Sequence, residues 1–503
     1  MTENLLKEAF ISNLNGTSIA EVALGLSIGP MCFLFRGLVL VFYQKEHRAL
    51  FYSWKHHLFF DFLLLVVPQV LSCTVFSDFL YFVLLAYAAI SALLLCYIFK
   101  WRTNCVHRKP NSIIRSFLKI QVRDEIVPAV TNLRVFLNIL TAISILAVDF
   151  KVFPRRYAKT ETYGTGVMDL GVGGFVFANA IVSPEAKTNQ DMLQSKIPNF
   201  KKQLLSVWPL ILFGFGRLIS VKAADYQEHV SEYGIHWNFF FTLANVRVLG
   251  SLLLAILPAK NSWIVAATIV LSYQAVLEYT SLKEFIFYGS DGNGTRVGFF
   301  NANREGIVSV IGYVAIYMAG VQVGLYLLKK RAVLKDWISP IKNLMLIAFS
   351  LFIMFYIFQA YLEPASRRLA NLTFFIWIIA QCVSFLCLIL LCDLIITFAK
   401  YLVTGSKVPV TWYIYMSSNL SKGHETAPQI EKKESHYCLI EAVNRNQLLF
   451  FILSNILTGL VNMIIDTMHC NSFLSVTVIL IYMFCNCMVV YVFHINKITV
   501  KWW

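Results

Sequence analysis

The feature that most constrains this chain is the recurrence of long apolar stretches along its whole length. About thirteen windows of roughly 19 residues are apolar enough to cross a bilayer, and they lie near 20–43, 58–76, 79–98, 130–149, 167–183, 204–223, 239–258, 262–280, 307–327, 339–361, 371–399, 447–465 and 473–493. Charged residues make up 14% of the 503 residues, against about 25% in a soluble domain. This composition excludes a soluble enzyme, a disordered chain and a soluble domain on one anchor. We predict an all-α, polytopic integral membrane protein that forms a single domain over residues 1–503.

The basic residues of the chain predict its orientation. Lys and Arg outnumber Asp and Glu by 43 to 28, which gives a net charge of +15. In a membrane protein such an excess holds loops on the cytosolic face, so it does not indicate nucleic-acid binding. The stretch from Lys100 to Arg123 holds seven basic residues and no acid, and it follows an odd-numbered span. We therefore expect a lumenal N-terminus (1–19), a long cytosolic loop (403–446) and a cytosolic C-terminus (494–503). The sequon that begins at Asn15 is then a candidate glycosylation site.

Several loops predicted to be lumenal carry basic residues that this rule does not explain. They lie around 149–166, 288–306 and 367–368 and are rich in Arg, Asn, Asp and Gly, while the loop 226–238 on the same side supplies acids, histidines and an amphipathic aromatic residue. One interpretation is that their charges pair with one another on the surface. The other is that the three loops converge on one membrane face as a site for an anionic, hydroxyl-rich headgroup, because Arg binds phosphate and amides or carboxylates bind hydroxyls. The candidate binding residues are Arg155, Arg156, Glu161, Asp169, Asn303 and Arg304, with His236, Trp237 and Asn238 as either a pocket wall or an interfacial belt.

Asp149 is the sharpest single candidate for chemistry. It follows the apolar run TAISILAV directly, at the predicted end of the fourth span. An acid at an apolar boundary is costly and is a candidate general base, although it could instead pair with Lys151 or Arg155 as a helix-end acid. Lys159 lies ten residues further on, beyond a turn at Pro154, where a cation could stabilise an oxyanion or hold a phosphate.

The motifs that the chain lacks narrow the range of reactions that it could catalyse. There is no Walker A loop, no HExxH sequence and no GxSxG elbow. The eleven cysteines form no zinc-binding or disulfide pattern. Carboxylate, lysine and arginine at a membrane face suit proton removal from a hydroxyl and group transfer from an activated donor. A lipid or solute transporter and a noncatalytic scaffold remain alternatives.

The sequence closely resembles the class W family of phosphatidylinositol-glycan biosynthesis, the inositol acyltransferases of GPI-anchor assembly. The matching strings include AVDFKVFPRRYAKTETYGTGVMDLGVGGFVF, YQEHVSEYGIHWNFFFTL and DGNGTRVGFFNANREGIVSVIGYVAIYMAG. The resemblance covers essentially the whole chain and is weakest at 403–446.

The resemblance implies a protein of the endoplasmic-reticulum membrane with thirteen spans. It implies transfer of a fatty acyl group, usually palmitoyl, from acyl-CoA to the inositol 2-hydroxyl of glucosaminyl-phosphatidylinositol. Acyl-CoA would be a co-substrate, and we expect no tightly bound cofactor and no metal. The resemblance also implies that Asp149 and Lys159 carry the chemistry. We expect membrane lipids as surroundings, and the sequence does not identify which proteins, if any, are partners.

Overall fold

The computed structural model describes residues 14–45, 53–106, 109–120, 127–187, 204–223, 230–329, 331, 333–405 and 438–500. Over these residues the secondary structure is helical, and a single isolated bridge joins Gly16 to Thr165. The all-α prediction is confirmed. Most of the predicted N-terminal segment (1–19) and of the predicted loop (403–446) lies outside the described residues, as do the last three residues of the predicted C-terminal segment (494–503).

The described part of the chain contains twenty α-helices. They are α1 (Ile19–Lys45), α2 (Trp54–Asp61), α3 (Val67–Ser72), α4 (Leu80–Val106), α5 (Pro110–Leu118), α6 (Pro128–Ala147), α7 (Leu170–Ile181), α8 (Pro184–Lys187), α9 (Trp208–Ala223), α10 (Val230–Tyr233), α11 (Phe239–Ile256), α12 (Ser262–Tyr279), α13 (Leu282–Tyr288), α14 (Phe299–Ala302), α15 (Arg304–Leu327), α16 (Ile338–Tyr361), α17 (Leu372–Thr404), α18 (Leu439–Arg445), α19 (Gln447–Ile464) and α20 (Ser472–Ile495). Short 3-10 turns occupy Ser77–Phe79, Arg155–Tyr157, Ala259–Asn261 and Leu334–Trp337.

Within the described residues, ten helical segments are long and apolar enough to cross a membrane. They contain α1, α4, α6, α11, α12, α15, α16, α17, α19 and α20. The other three predicted windows, 58–76, 167–183 and 204–223, correspond to shorter helices. A polytopic membrane protein is therefore confirmed. The total of about thirteen spans is not confirmed, and the orientation that follows from an odd number stays a prediction.

Local chemistry explains two of the shorter helices. Between α2 and α3 the residues Phe62–Val66 form a π-helical turn, in which the Val67 N–H donates to the Phe62 carbonyl. Pro68 follows immediately, and a proline inside a helix cannot donate and crowds the preceding turn, so the helix widens there. Helix α7 has only 12 residues, because the chain before it is held in a loop by Asp169. At ~1.5 Å per residue α7 is about 18 Å long, shorter than a bilayer core of about 30 Å.

Helix α17 lies at the centre of the bundle. It has 33 residues and begins where the Asn371 side chain accepts the Phe374 N–H. It packs against α1, α6, α7 and α16. Helices α4 and α16 lie at the periphery and expose large apolar side chains such as Leu93 and Phe349. An apolar exterior of this kind suits surrounding lipid.

Glycines bring α15 close to α7. A Cβ atom on Gly320 would lie 2.7 Å from the Ala180 Cβ, and one on Gly324 would lie 2.5 Å from the Ile181 carbonyl oxygen. The pair Gly320 and Gly324 has the small-residue spacing that lets membrane helices pack closely. Helix α15 therefore fixes the position of α7, which starts at the candidate site.

Four loops meet at one end of the bundle and form what we call the loop layer, residues 148–169, 230–238, 289–303 and 362–371. The Gly164 N–H donates to the Ala365 carbonyl (2.8 Å), and the His236 N–H donates to Asn303 Oδ1 (2.8 Å). The predicted loops therefore contact one another, and their position on the lumenal face stays a prediction. We call 148–169 the Asp149 loop and 289–303 the Gly289 loop.

Candidate active site

Asp149 lies in the turn that directly follows α6. Its backbone N–H donates to the Leu146 carbonyl (3.2 Å), so the helix is extended by one turn before the chain leaves it. The carboxylate Oδ2 accepts a hydrogen bond of 2.8 Å from Asn462 Nδ2 on α19, and Asp149 is partly exposed. The carboxylate is thus held between two helices at the edge of the loop layer.

Arg155 braces the turn that carries Asp149. Its Nη2 donates to the carbonyls of Val148 (2.7 Å) and Phe150 (3.2 Å), which belong to the C-cap of α6 and to the turn that follows it. Burial lowers the pKa of the Arg155 guanidinium to about 10, and the charge of Asp149 opposes this shift. Arg155 therefore lies within electrostatic range of Asp149 and fixes the backbone on both sides of it.

Arg156 connects the loop to α1 and to the turn before α4. Its Nε donates to Glu21 Oε1 (2.8 Å), and its Nη2 donates to Asp78. The Tyr157 hydroxyl donates to the same Glu21 oxygen (2.7 Å). Arg156 is still partly exposed, with 37% of its side chain accessible.

Lys159 pairs with an acid from a different loop. Its Nζ lies 2.6 Å from Glu232 Oε1, and 37% of the lysine side chain is accessible. Burial alone would raise the pKa of Glu232, but the charges of Lys159 and Arg367 lower it to about 2. The acid therefore stays ionised at physiological pH and holds the ammonium in place.

Asp169 and Arg367 lie beneath this pair. Arg367 Nε donates to Asp169 Oδ1 (2.8 Å), and Arg367 Nη1 lies 3.7 Å from Glu232 Oε1. Asp169 also accepts the N–H groups of Thr160 (3.1 Å) and Gly166 (2.9 Å). Asp169 is completely buried. The alternating charges of Lys159, Glu232, Arg367 and Asp169 form one ion network, which fixes the backbone next to Lys159.

The segment around His236 contributes mainly structure. Asn238 caps α11, since its Oδ1 accepts the Phe240 N–H (3.1 Å), and its Nδ2 donates to the Gly214 carbonyl (2.9 Å). Trp237 Nε1 donates to the Thr242 hydroxyl (2.9 Å). The His236 side chain is exposed.

The Gly289 loop ends in a second charge cluster. Arg304 is buried and donates to the carbonyls of Ile286 (3.1 Å), Thr295 (3.1 Å) and Asn301 (3.1 Å). The buried Glu305 accepts from Arg296 (2.7 Å) and Arg368 (2.8 Å).

Two further predicted residues lie near the N-terminal segment. The Glu161 N–H donates to the Leu14 carbonyl (3.2 Å), and Glu161 is partly exposed. Asn15 is exposed, one residue before the bridge between Gly16 and Thr165.

Asn303 lies at the end of the Gly289 loop and is fully buried. It joins this loop to the His236 segment, because its Oδ1 accepts the His236 N–H (2.8 Å).

Sequence reasoning gave no site role to Glu232, Arg367 or Asn462. Arg367 does lie in a loop whose basic residues break the positive-inside rule, and Glu232 is one of the acids in a loop predicted on the same side, so a signal for both exists. Asn462 is a polar residue inside the apolar window 447–465, and a polar residue in a span is a weaker signal. Among the residues that the structure describes, no group of three His, Cys, Asp or Glu side chains could hold a metal ion.

The arrangement suits proton transfer combined with charge stabilisation. A carboxylate and a partly exposed ammonium lie in the same loop, and each is held by a partner from another element. A positioned carboxylate can accept a hydroxyl proton, and a fixed ammonium can stabilise a developing oxyanion.

Comparison with known proteins identifies the family. The family model described as GWT1 matches residues 3–493. The chain is 48% identical over 508 residues to the Bos taurus protein named glucosaminyl-phosphatidylinositol-acyltransferase PIGW, with 100% of both chains covered. It is 48% identical over 507 residues to the Homo sapiens protein of the same name, again with 100% of both covered. It is 32% identical over 501 residues to GPI-anchored wall transfer protein 1 of Yarrowia lipolytica, covering 96% of this chain and 95% of that protein. The chain therefore belongs to the GWT1 family.

Proposed function

We propose that this protein transfers a fatty acyl group, palmitoyl, from acyl-CoA to the inositol 2-hydroxyl of glucosaminyl-phosphatidylinositol. The observation that carries the proposal is the end-to-end similarity, 48% over 508 residues, to a relative named as a glucosaminyl-phosphatidylinositol acyltransferase. The half-exposed Lys159 and the Asn462-bound Asp149 in one loop support it, because this pair provides a base and a cation. The protein lies in the endoplasmic-reticulum membrane, with its N-terminus in the lumen and its C-terminus in the cytosol.

In the proposed mechanism Asp149 takes the proton of the inositol hydroxyl as the oxygen attacks the thioester carbonyl. Lys159 stabilises the negative charge on the carbonyl oxygen. When the tetrahedral intermediate collapses, the carbon–sulfur bond breaks and the CoA thiolate takes a proton from Asp149. The products are the inositol ester and free CoA thiol. A thioester is already activated, so no acyl-enzyme is needed.

The hydrogen-bond partners of Asp149 and Lys159 fit the proposed roles of base and oxyanion-stabilising cation. Asn462 donates to one oxygen of Asp149 and so orients the carboxylate. Glu232 takes one donor of the Lys159 ammonium, which has three. A cation that is already positioned needs little reorganisation when charge develops beside it.

The other predicted binding residues divide by exposure. Arg156, Glu161, His236 and Trp237 are partly or fully exposed, and we propose that they contact the lipid headgroup. The buried residues Asp169, Asn238, Asn303 and Arg304, together with the brace Arg155, act by positioning the loops. The lipid chains lie between the helices.

The test is acyl transfer by the Asp149→Asn variant. Microsomes that contain the full chain are incubated with labelled acyl-CoA and glucosaminyl-phosphatidylinositol, and the acylated lipid is measured. Because general base catalysis contributes about 10²–10⁴-fold, we expect the variant to lose at least ~100-fold in rate at unchanged abundance. Asp466→Asn is the matched control, since Asp466 is an exposed acid in the turn between α19 and α20.

Full activity of Asp149→Asn would show that this carboxylate is not the base. A transporter, the alternative function, leaves the lipid chemically unchanged, so the absence of any labelled acyl lipid with the wild-type chain would contradict the proposed function itself.

A further inference from the structure

Besides its charged residues, the Gly289 loop contains the sequon Asn293-Gly294-Thr295. An Asn-X-Thr sequence is an acceptor for N-linked glycosylation where it reaches the lumen of the secretory pathway. We propose that Asn293 carries an N-linked glycan. The inference rests on the lumenal orientation of the loop layer in the proposed function.

The geometry around Asn293 is open. Asn293 and Thr295 are both exposed. The flanking glycines Gly292 and Gly294 have φ angles of +71° and +80°, and a Cβ atom on either would meet nothing within 4 Å. A turn with left-handed backbone on both sides of the asparagine forms the tip of the loop. A glycan on Asn293 would therefore displace no packed side chain.

The base of the loop is fixed while its tip is open. The Thr295 carbonyl accepts from Asn301 Nδ2 (2.8 Å) and from Arg304 Nη1 (3.1 Å), and the Gly294 N–H donates to the Tyr288 carbonyl (2.6 Å). These bonds use backbone atoms of Gly294 and Thr295, and the Asn293 backbone N–H donates to Asp291 Oδ1 (3.3 Å). The hydrogen bonds of the described residues leave the Asn293 side-chain amide open to solvent. The acceptor is thus presented in one position at the surface.

Both the Gly289 loop and the N-terminal sequon lie at the same end of the bundle. The Thr17 N–H donates to the Thr165 carbonyl (2.7 Å), and the Tyr163 ring lies 5.8 Å from the Phe287 ring. The Asp149 loop therefore contacts the segment of Asn15 on one side and the helix before the Gly289 loop on the other. If this end faces the lumen, both sequons face it.

The structure favours Asn293 over Asn15 as the acceptor. Asn15 lies four residues before the start of α1 at Ile19, and an extended chain spans only about 3.3–3.6 Å per residue, so Asn15 stays near the membrane surface. A Cβ on Gly164 would lie 2.3 Å from the Asn15 carbonyl oxygen, which shows how closely that segment is packed. Asn293 lies fourteen residues after the end of α12 at Tyr279.

Two other sequons are less suitable. Asn371-Leu372-Thr373 is buried, and the Asn371 side chain caps α17. Asn419-Leu420-Ser421 lies outside the described residues, in the loop that we predict to be cytosolic. Asn293 is therefore the acceptor that combines exposure with the predicted lumenal side.

The experiment expresses the full chain in glycosylating eukaryotic cells and follows its gel mobility before and after treatment with an endoglycosidase. We expect wild type to show a mobility shift of one glycan that the enzyme removes. Asn293→Gln and Thr295→Ala should both lack the shift. Thr295→Ser, which preserves the sequon, and Asn15→Gln should both retain it.

An unshifted wild-type protein, or a shift that persists in Asn293→Gln, would overturn the inference. Acyl transfer is measured on the same microsomes, so the two proposals fail separately. A glycosylated chain without acyl transfer contradicts the proposed function alone, and an active chain without the glycan contradicts the inference alone. Asn293→Gln should keep wild-type acyl transfer.

Discussion

The Asp149 loop and the Gly289 loop look alike in sequence but differ in how their charges are used. Both contain arginine, aspartate and closely spaced glycines. Arg304 begins α15 directly after the Gly289 loop; it is almost wholly buried, with 1% of its side chain exposed, and it donates to backbone carbonyls in and before that loop. In the Asp149 loop Lys159 keeps 37% of its side chain exposed while it is paired.

The difference shows that residue type alone does not reveal which cation can meet a substrate. A buried guanidinium that bonds to carbonyls stabilises the loop and cannot turn outward without breaking several charge-assisted bonds. A half-exposed ammonium with one carboxylate partner keeps donors for another group. We therefore propose the Asp149 loop as the reactive one of the two, and the following variants test this distinction.

The largest effect is expected for Lys159→Met. Loss of a group that stabilises an oxyanion costs about 10²–10³-fold in kcat, and we expect a loss in this range with abundance preserved. The measurement is acyl transfer in microsomes at saturating acyl-CoA. Lys151→Met, an exposed lysine of the same loop, is the matched control and should be close to wild type. Equal activities for the two variants would remove the distinction between the loops.

Arg304→Met should affect stability rather than chemistry. Because hydrogen bonds to charged groups contribute about 1.5–3 kcal/mol each, and because the variant leaves buried carbonyls without donors, we expect the free energy of unfolding to fall by roughly 3 kcal/mol. Thermal unfolding in detergent measures this, and Arg115→Met on the exposed face of α5 is the control. A stable Arg304→Met protein with reduced acyl transfer would instead assign Arg304 to substrate binding.

Glu232→Gln is expected to lower kcat about tenfold. The amide keeps a hydrogen bond to Lys159 but removes the charge that fixes it, a difference of roughly 1.4 kcal/mol. The lowered pKa of Glu232, about 2 against an ordinary 4.5, gives the pH dependence. The stabilisation is fully present above pH ~4.5 and is lost as the pH falls towards 2. Between pH 5 and 8 the ratio of wild type to variant should thus stay constant.

A ratio that changes across that range would contradict an ionised Glu232. Glu284→Gln, an exposed acid on α13, controls for the loss of one negative charge at this end of the protein.

The smallest effect is expected for Asn462→Ala, which removes the 2.8 Å hydrogen bond to Asp149. We expect kcat to fall about fivefold with the KM for the lipid unchanged, because loss of one hydrogen bond costs about 1 kcal/mol. Asn455→Ala is the control, since Asn455 lies on the same helix and its side chain donates to the Phe451 carbonyl within that helix. If both variants behave alike, Asn462 has no role in positioning Asp149.

The sequence predicted the helical class and the convergence of the loops, because apolar periodicity and charge placement are local signals. It did not predict the partners of the arginines. Arg367 and Asp169 are 198 residues apart in the chain, and a pattern of charges does not say which acid a given arginine will reach. The helix break near Pro68 is predictable from the sequence, since proline interrupts a helix. Asn293 and Asn371 both begin an Asn-X-Thr sequon, but Asn293 is exposed at the tip of a loop and Asn371 is buried as a helix cap. The sequon alone does not predict this difference.

Because Arg367 lies between Asp169 and Glu232, substitutions at these three positions should differ in how strongly they disturb the ion network. Loss of either Asp169 or Glu232 leaves the arginine with one carboxylate, whereas loss of Arg367 leaves the buried Asp169 without a cation while Glu232 keeps Lys159. A substitution at Arg367 therefore disturbs three segments that are far apart in the chain, because the arginine side chain joins the loops of Asp169 and Glu232 to its own.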